Sequence, residues 1–340
     1  MATSLWLCLH ELQAFATSLC LIARTPNSGP PAGEVPVAST DPSSPSKRPR
    51  RFINERNRPL APSSAAVEED LPPPNWIKTN GDSLTEEDRN YVKRVIWRGR
   101  RFIVKYGWCV RQQEADIMRF VRANTNVPVP EVFAVKVYEK QVFIYMEDVE
   151  GSTMHDCDES TRRMVAPQIL AHIQQLRQLR MPSQGQIGDF PAPTYRNLKR
   201  AILGCTPSSK YSQMPAVDTT ADFQRWLAVE VAPRIRMFPS VETRKRLVPH
   251  VESLDASAPV VFTHGDLHSG NILVRDGRVV GIIDWEMGGW YPEWVEAEIV
   301  GYYRDTGDER AAEVAAVLGL AEEKERWKSR HLWIHALRIA

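Results

Sequence analysis

The chain has 340 residues, 43% of them hydrophobic, with 43 basic residues set against 42 acidic ones. That length holds one large domain or two lobes, and the balanced charge leaves no global field to draw it onto nucleic acid or a membrane surface. Five cysteines, at 8, 20, 109, 157 and 205, are odd in number and lack C-x-x-C spacing, which argues against a disulfide framework or zinc site and fits a reducing compartment.

Residues 1–24 lean apolar (Leu5, Trp6, Leu7, Leu9, then Leu19, Leu21, Ile22), but His10, Glu11 and Gln13 interrupt the run and no Lys or Arg precedes it. A signal peptide wants a basic start and an unbroken apolar core, and a span needs about 20 predominantly apolar residues. The stretch therefore reads as a short amphipathic helix or a misplaced start, with no stable membrane insertion and a cytoplasmic location expected. Residues 26–75 hold 12 of the 25 prolines, a composition that buries too little apolar surface to offset ordering entropy. Within it, Lys47-Arg48-Pro49-Arg50-Arg51 is a solvated charge cluster or a nuclear-import patch.

Regular structure is expected from about Leu84, with Ser83 and Glu86 placed to cap a helix start. Residues 92–97 and 101–106 read as β-rich segments around Gly99. In the second, Phe102, Val104 and Tyr106 alternate with Ile103 and Lys105, so Lys105 faces opposite to its immediate neighbours. Nine residues on, Glu114 opens a helical stretch with Ile117, Met118 and Val121 on its face. Val127-Pro128-Val129-Pro130 is extended, because each proline pushes its predecessor out of the helical region. It leads to strands at 132–135 and 142–146. Residues 164–181 form a helix with Ile169, Ile173, Leu176 and Leu179 as a core stripe, and Pro167 belongs in its first turn or kinks it. Loops rich in Pro, Gly, Ser and Thr fill 182–220, where acceptor recognition is expected. Residues 221–253 are helical, with Trp226 a packing residue.

The chemistry sits in Thr263-His264-Gly265-Asp266-Leu267-His268-Ser269-Gly270-Asn271 and in Ile283-Asp284-Trp285-Glu286. Phosphoryl transfer from ATP needs a carboxylate facing the acceptor hydroxyl, then an amide and a carboxylate holding Mg2+. Asp266, Asn271 and Asp284 are of those types. Residues 271–274 and 279–283 read as strands joined at Asp276-Gly277, a hairpin signal, which returns Asp284 beside Asn271 and close to Asp266.

On these residues the segment resembles the aminoglycoside phosphotransferase and choline kinase-like family, and Gly289-Trp290-Tyr291-Pro292 resembles its large fungal branch. The resemblance covers about residues 85–325. It implies an α+β, bilobed, protein kinase-like fold: an N-terminal segment at 1–75, a small β-rich nucleotide lobe at 76–147 and a larger helical lobe at 148–340. It implies that Lys105, aimed by Glu114, holds the ATP phosphates, and that Glu147 to Gly151 is the hinge, with backbone of Glu147 and Val149 facing adenine. Asn271 and Asp284 then hold Mg2+ and Asp266 is the base. Only Gly99 stands in for the glycine-rich phosphate cover.

His264 is expected to brace the loop backbone and His268 to be a hydrogen-bonded structural residue. Glu286, Trp290, Glu293 and Glu296 are either acceptor contacts or ordinary surface and packing residues. The expected activity is ATP- and Mg2+-dependent phosphorylation of a small-molecule hydroxyl. The competing reading is a nucleotide-binding pseudokinase acting as an interaction module. A protein kinase is disfavoured by D-W-E in place of D-F-G and by the lack of an A-P-E-like segment.

Overall fold

The computed structural model describes residues 70–85, 90–181, 186–191, 217–231, 249–305 and 308–318. The expectations for the apolar start, the basic cluster at 47–51 and most of the 182–220 loops fall outside these residues.

Tight hairpins build the first lobe. β2 (Asn90–Trp97) and β3 (Arg100–Gly107) turn through Arg98 and Gly99, whose φ values of 49° and 77° are both left-handed. Two such residues make the turn whose twist matches that of the flanking strands. β4 (Val132–Tyr138) and β5 (Gln141–Glu147) join through Glu139 and Lys140 at φ 50° and 64°. Neither residue type announces such a turn in sequence. With β1 (Asp82–Ser83) these strands form an antiparallel sheet ordered β1-β2-β3-β5-β4.

The lobe's start differs from expectation. Ser83 caps no helix; it pairs with Lys93 in β1. The Leu84 N–H extends that ladder to the Val92 carbonyl at 2.8 Å, and the Thr85 hydroxyl accepts from the Val92 N–H at 3.1 Å. Backbone groups satisfied as a strand have none left for a helical turn. Regular structure also begins before Leu84, with α1 (Pro74–Thr79), whose proline stands at the first helical position, where a missing N–H costs nothing. Lys93 Nζ closes its far end by donating to the Ile77, Lys78 and Asn80 carbonyls at 3.0, 2.9 and 3.3 Å.

α2 (Gln112–Asn124) buries Glu114, Ile117, Met118 and Val121, the expected stripe, and packs against β4 and β5. It stops at Thr125, two residues before Val127, which Pro128 holds extended.

The second lobe carries α3 (Glu159–Arg177), capped by the Asp158 carboxylate, which accepts from the Thr161 N–H at 2.7 Å. The helix begins a turn earlier than expected, so Pro167 lies in its interior rather than its first turn. Val165, Ile169, Ile173 and Leu176 form its buried stripe, packed towards β8 (Val260–Thr263) and β10 (Arg278–Ile282). β9 (Ile272–Arg275) meets β10 through Asp276 and Gly277, at φ 52° and 68°, and β6 (Ser152–Thr153) adds to its other edge. β11 (Gly289–Pro292) pairs with β8 and with β7 (Gly188–Asp189). α4 (Thr220–Val231) holds Trp226 5.6 Å from the Phe223 ring, as a packing residue. α5 (Trp294–Asp305) and α6 (Glu309–Val317) pack on each other. The lobes meet where the Ile282 N–H at the end of β10 donates to the Pro128 carbonyl at 2.7 Å. A β-rich small lobe and a larger helical one make the expected α+β arrangement.

Candidate active site

The site assembles at the open end of the β9–β10 hairpin. β8 delivers the chain into the His264-Gly265-Asp266 loop, where Gly265 has φ +82° and a Cβ would meet the Met287 carbonyl oxygen at 2.5 Å. Only glycine fits there. Asn271 ends a short 3-10 turn (Ser269–Asn271), and its carbonyl accepts from the Ile283 N–H at 3.0 Å, one residue before Asp284. Asn271 Nδ2 donates to the Asp266 carbonyl at 2.9 Å and lies 3.4 Å from its Oδ2. Asp266, Asn271 and Asp284 are thereby brought together as the hairpin predicted. Asp284 itself has φ 64°, a left-handed conformation that a non-glycine residue adopts only under constraint.

Both histidines engage loop backbone, and His268 Nε2 also lies 4.0 Å from Asp266 Oδ2. His264 Nε2 lies 3.0 Å from the Ile283 carbonyl, and its Nδ1 accepts from the Asp266 N–H at 3.2 Å. That pairing puts the ring proton on Nε2. Burial drives its pKa down to about 4. His268 Nδ1 accepts from the Gly270 N–H at 3.1 Å, and burial, then Arg310, lower its pKa to about 3. Asp266 moves the other way, well above the usual carboxylate range, through burial and then the Asp284 and Glu286 charges.

The opposite wall comes from the small lobe. Lys105 Nζ is 2.9 Å from Glu114 Oε2, the pair expected from the strand and helix faces. It also lies 2.8 Å from Asp284 Oδ1 and 3.7 Å from Glu286 Oε2. One buried ammonium thus spans both lobes. Burial works against its charge, but Asp284, Glu114 and Glu286 outweigh that and hold its pKa well above the ordinary lysine value. Glu114 rises to about 7, through burial opposed by Lys105.

Between the walls lies an open cleft. Ile103, Lys105, Met146, Val149, Leu273 and Asp284 are among its lining residues. Glu147 and Asp148 also line it, so the expected hinge forms one wall. The Glu147 N–H is committed to the Glu131 carbonyl at 2.9 Å. Asp148 is anchored by Arg94, whose Nε and Nη2 donate at 2.9 and 3.2 Å.

Three of the expectations take a definite form here. Gly99 is not near Lys105. The Arg98-Gly99 turn lies beyond the end of β3 where Phe102 pairs with Glu147, whereas Lys105 sits towards the other end, opposite Val92. At about 3.3 Å per residue the separation is about 20 Å. At that end Leu84, just past β1, donates to the carbonyl of Val92, the residue opposite Lys105. Second, Glu286 faces Lys105. Third, Trp290, Glu293 and Glu296 are the packing and brace residues of the two alternatives. Trp290 is buried against Phe262 at 5.2 Å, and Glu293 pairs with Arg177 at 2.5 Å. Glu296 Oε2 accepts from the His264 and Gly265 N–H groups at 2.9 and 3.2 Å. No strand or helix period joins Glu286 to Asp284, because Asp284 is left-handed and Glu286 lies in a turn. Nothing in sequence marked Glu296 as the holder of the His264 and Gly265 amides.

The residues present suit a divalent cation. Asn271 Oδ1 is buried without a hydrogen-bond partner among the described residues, and an orphaned amide oxygen beside a carboxylate is a hard-ligand pair. Glu114, Asp284 and Glu286 also offer oxygens within 4.8 Å of one another.

No curated protein matches the sequence. The fold is similar to that of aminoglycoside phosphotransferase APH(4)-Ia, with TM-score 0.51 at 17% identity over 80% of this chain and 89% of that one. A thermostable mutant of that protein in its apo form gives 0.51 at 17% over 76% and 85%. Another, in ternary complex with AMP-PNP and hygromycin B, gives 0.50 at 16% over 77% and 84%. The profile of the phosphotransferase enzyme family (APH) matches residues 87–333, and the chain belongs to that family.

Proposed function

We propose that this phosphotransferase transfers the terminal phosphoryl group of ATP, with Mg2+, to a hydroxyl of a small molecule. The observation that carries the reading is Lys105, held by Glu114 in one lobe and by Asp284 in the other, at 2.9 and 2.8 Å. A cation so placed is ready for phosphate oxygens, and Glu114 keeps it aimed when Asp284 turns to another partner. Glu147 and Val149 would present backbone to the base, with Ile103, Met146 and Leu273 as apolar walls. Asn271 Oδ1 and Asp284 would hold Mg2+, which when bound neutralises charge on the phosphates. Asp266 accepts the hydrogen bond of the acceptor hydroxyl, orients it and takes its proton. Most of the rate comes from positioning and electrostatics.

The relative bound to AMP-PNP and hygromycin B supports both a nucleotide and a hydroxylated acceptor. A thermal-shift titration with ATP, with and without Mg2+, tests the donor site. A panel of aminoglycosides, amino sugars and choline-like alcohols, read by phosphate transfer, tests the acceptor. No Mg2+-dependent ATP shift, or transfer to no hydroxyl in the panel, counts against the proposal.

A further inference from the structure

Glu296, like Glu298 and Arg310, is a buried charged residue of the second lobe that the reaction scheme above leaves unused. It lies in the first turn of α5, about 30 residues from the loop it touches, and is almost fully buried. Its carboxylate meets main chain rather than a cation: one oxygen, Oε2, accepts from His264 and Gly265 at 2.9 and 3.2 Å, and the Leu267 amide adds to the hold. Those amides flank Asp266 on both sides. Hydrogen bonds to an ionised acceptor are shorter and about twice as strong as neutral ones. The loop needs such a hold, since Gly265 is left-handed and the chain there has left the β8 ladder. Arg177 acts only from a distance, as its guanidinium is taken by Glu293 at 2.5 Å.

We propose that Glu296 is a positioning residue for phosphoryl transfer: its carboxylate clamps the backbone on either side of Asp266 and so fixes where that base meets the acceptor. This rests on the phosphotransferase reading. Its action runs through main chain, so its loss should misplace Asp266 while the Lys105–Glu114 pair of the other lobe stays in place. A displacement of about 1 Å at a reacting group can cost 10²-fold in rate.

The test compares Glu296→Ala and Glu296→Gln with wild type in ATP turnover to water and in hydrogen–deuterium exchange. Expected for Glu296→Ala are exchange at residues 264–267 faster by about tenfold, kcat lower by about 30-fold and KM for ATP unchanged. Glu296→Gln keeps the shape and one acceptor oxygen, so it should fall between the two, and it carries the test if the alanine variant does not fold. A general loss of structure would instead speed exchange in β2 and β3 and raise KM. Exchange at 264–267 that matches wild type in both variants, or faster exchange with unchanged kcat, overturns the role. Wild-type turnover is measured first: its absence sinks the phosphotransferase reading, whereas intact turnover with unaffected variants sinks only Glu296.

Discussion

The β2–β3 and β9–β10 hairpins are the same device used in opposite lobes. Each turns through two left-handed residues ending in glycine, Arg98-Gly99 and Asp276-Gly277, and each carries its chemistry at the open end. In β9–β10 the strand ends present Asn271 and Asp284. In β2–β3 the open end holds Lys105, opposite Val92, while the turn lies past the hinge. An antiparallel pair places its turn and its open ends a full strand length apart, so a glycine in the turn cannot serve groups at the ends. That rule located Asp284 from sequence. Applied to Gly99, it would have excluded a phosphate cover there.

Open-end residues should therefore carry function, and turn residues only stability. Asp266→Asn should show the largest effect, lowering phosphate transfer by about 10³-fold, read on whichever hydroxyl the acceptor panel yields. Near-normal turnover in that variant would remove the base from the site. Lys105→Met should reduce kcat/KM for ATP by about 10²-fold, a deficit of about 2.7 kcal/mol. Adding Glu114→Gln should then cost little more, because Glu114 acts through Lys105. A double-mutant cycle in ATP kinetics measures that coupling, and simple additivity would break the link between strand and helix.

The third test concerns the loop between the open ends. An unfolded histidine titrates near 6.5, whereas folded His264 stays neutral down to about 4. Below pH 6.5 the unfolded chain binds a proton that the folded chain refuses, so this residue's contribution to stability falls as pH falls towards 4. Between pH 7 and 5 wild type should lose about 2 kcal/mol relative to His264→Gln, measured by urea denaturation of both. A constant gap would mean that His264 is not held neutral. The smallest effect belongs to Gly99→Ala. A Cβ there meets nothing within 4 Å, so only the left-handed backbone cost of about 1 kcal/mol remains. Its midpoint in denaturant should drop while KM for ATP holds. A tenfold rise in KM would return Gly99 to the nucleotide.

Local pattern made much of the site legible. The face shared by Glu114, Ile117, Met118 and Val121 placed the lysine's partner, and the Asp276-Gly277 turn placed the three oxygen ligands. Other features were hidden for physical reasons. The Glu139-Lys140 turn uses residues with no turn preference, held there by the β4–β5 ladder on either side. Ser83 reads as a helix cap, yet pairing with Lys93 and the Leu84 bond to Val92 hold it in a strand, while Glu86 lies outside the described residues. Glu296 satisfies amides about 30 positions away, and no periodicity joins it to them.

The sequence alone determined which groups could meet in one site, because its carboxylates, amide and lysine lie on elements whose faces follow from periods of two and 3.6. Tertiary structure decided which of those groups share charge. Lys105 and Asp284 stand 179 positions apart and meet at 2.8 Å only when the lobes close on one another. It also decided which acidic residues face the cleft and which hold backbone. Glu286 and Glu296 are chemically alike in the chain, and burial against different partners gives one to the lysine and the other to the loop.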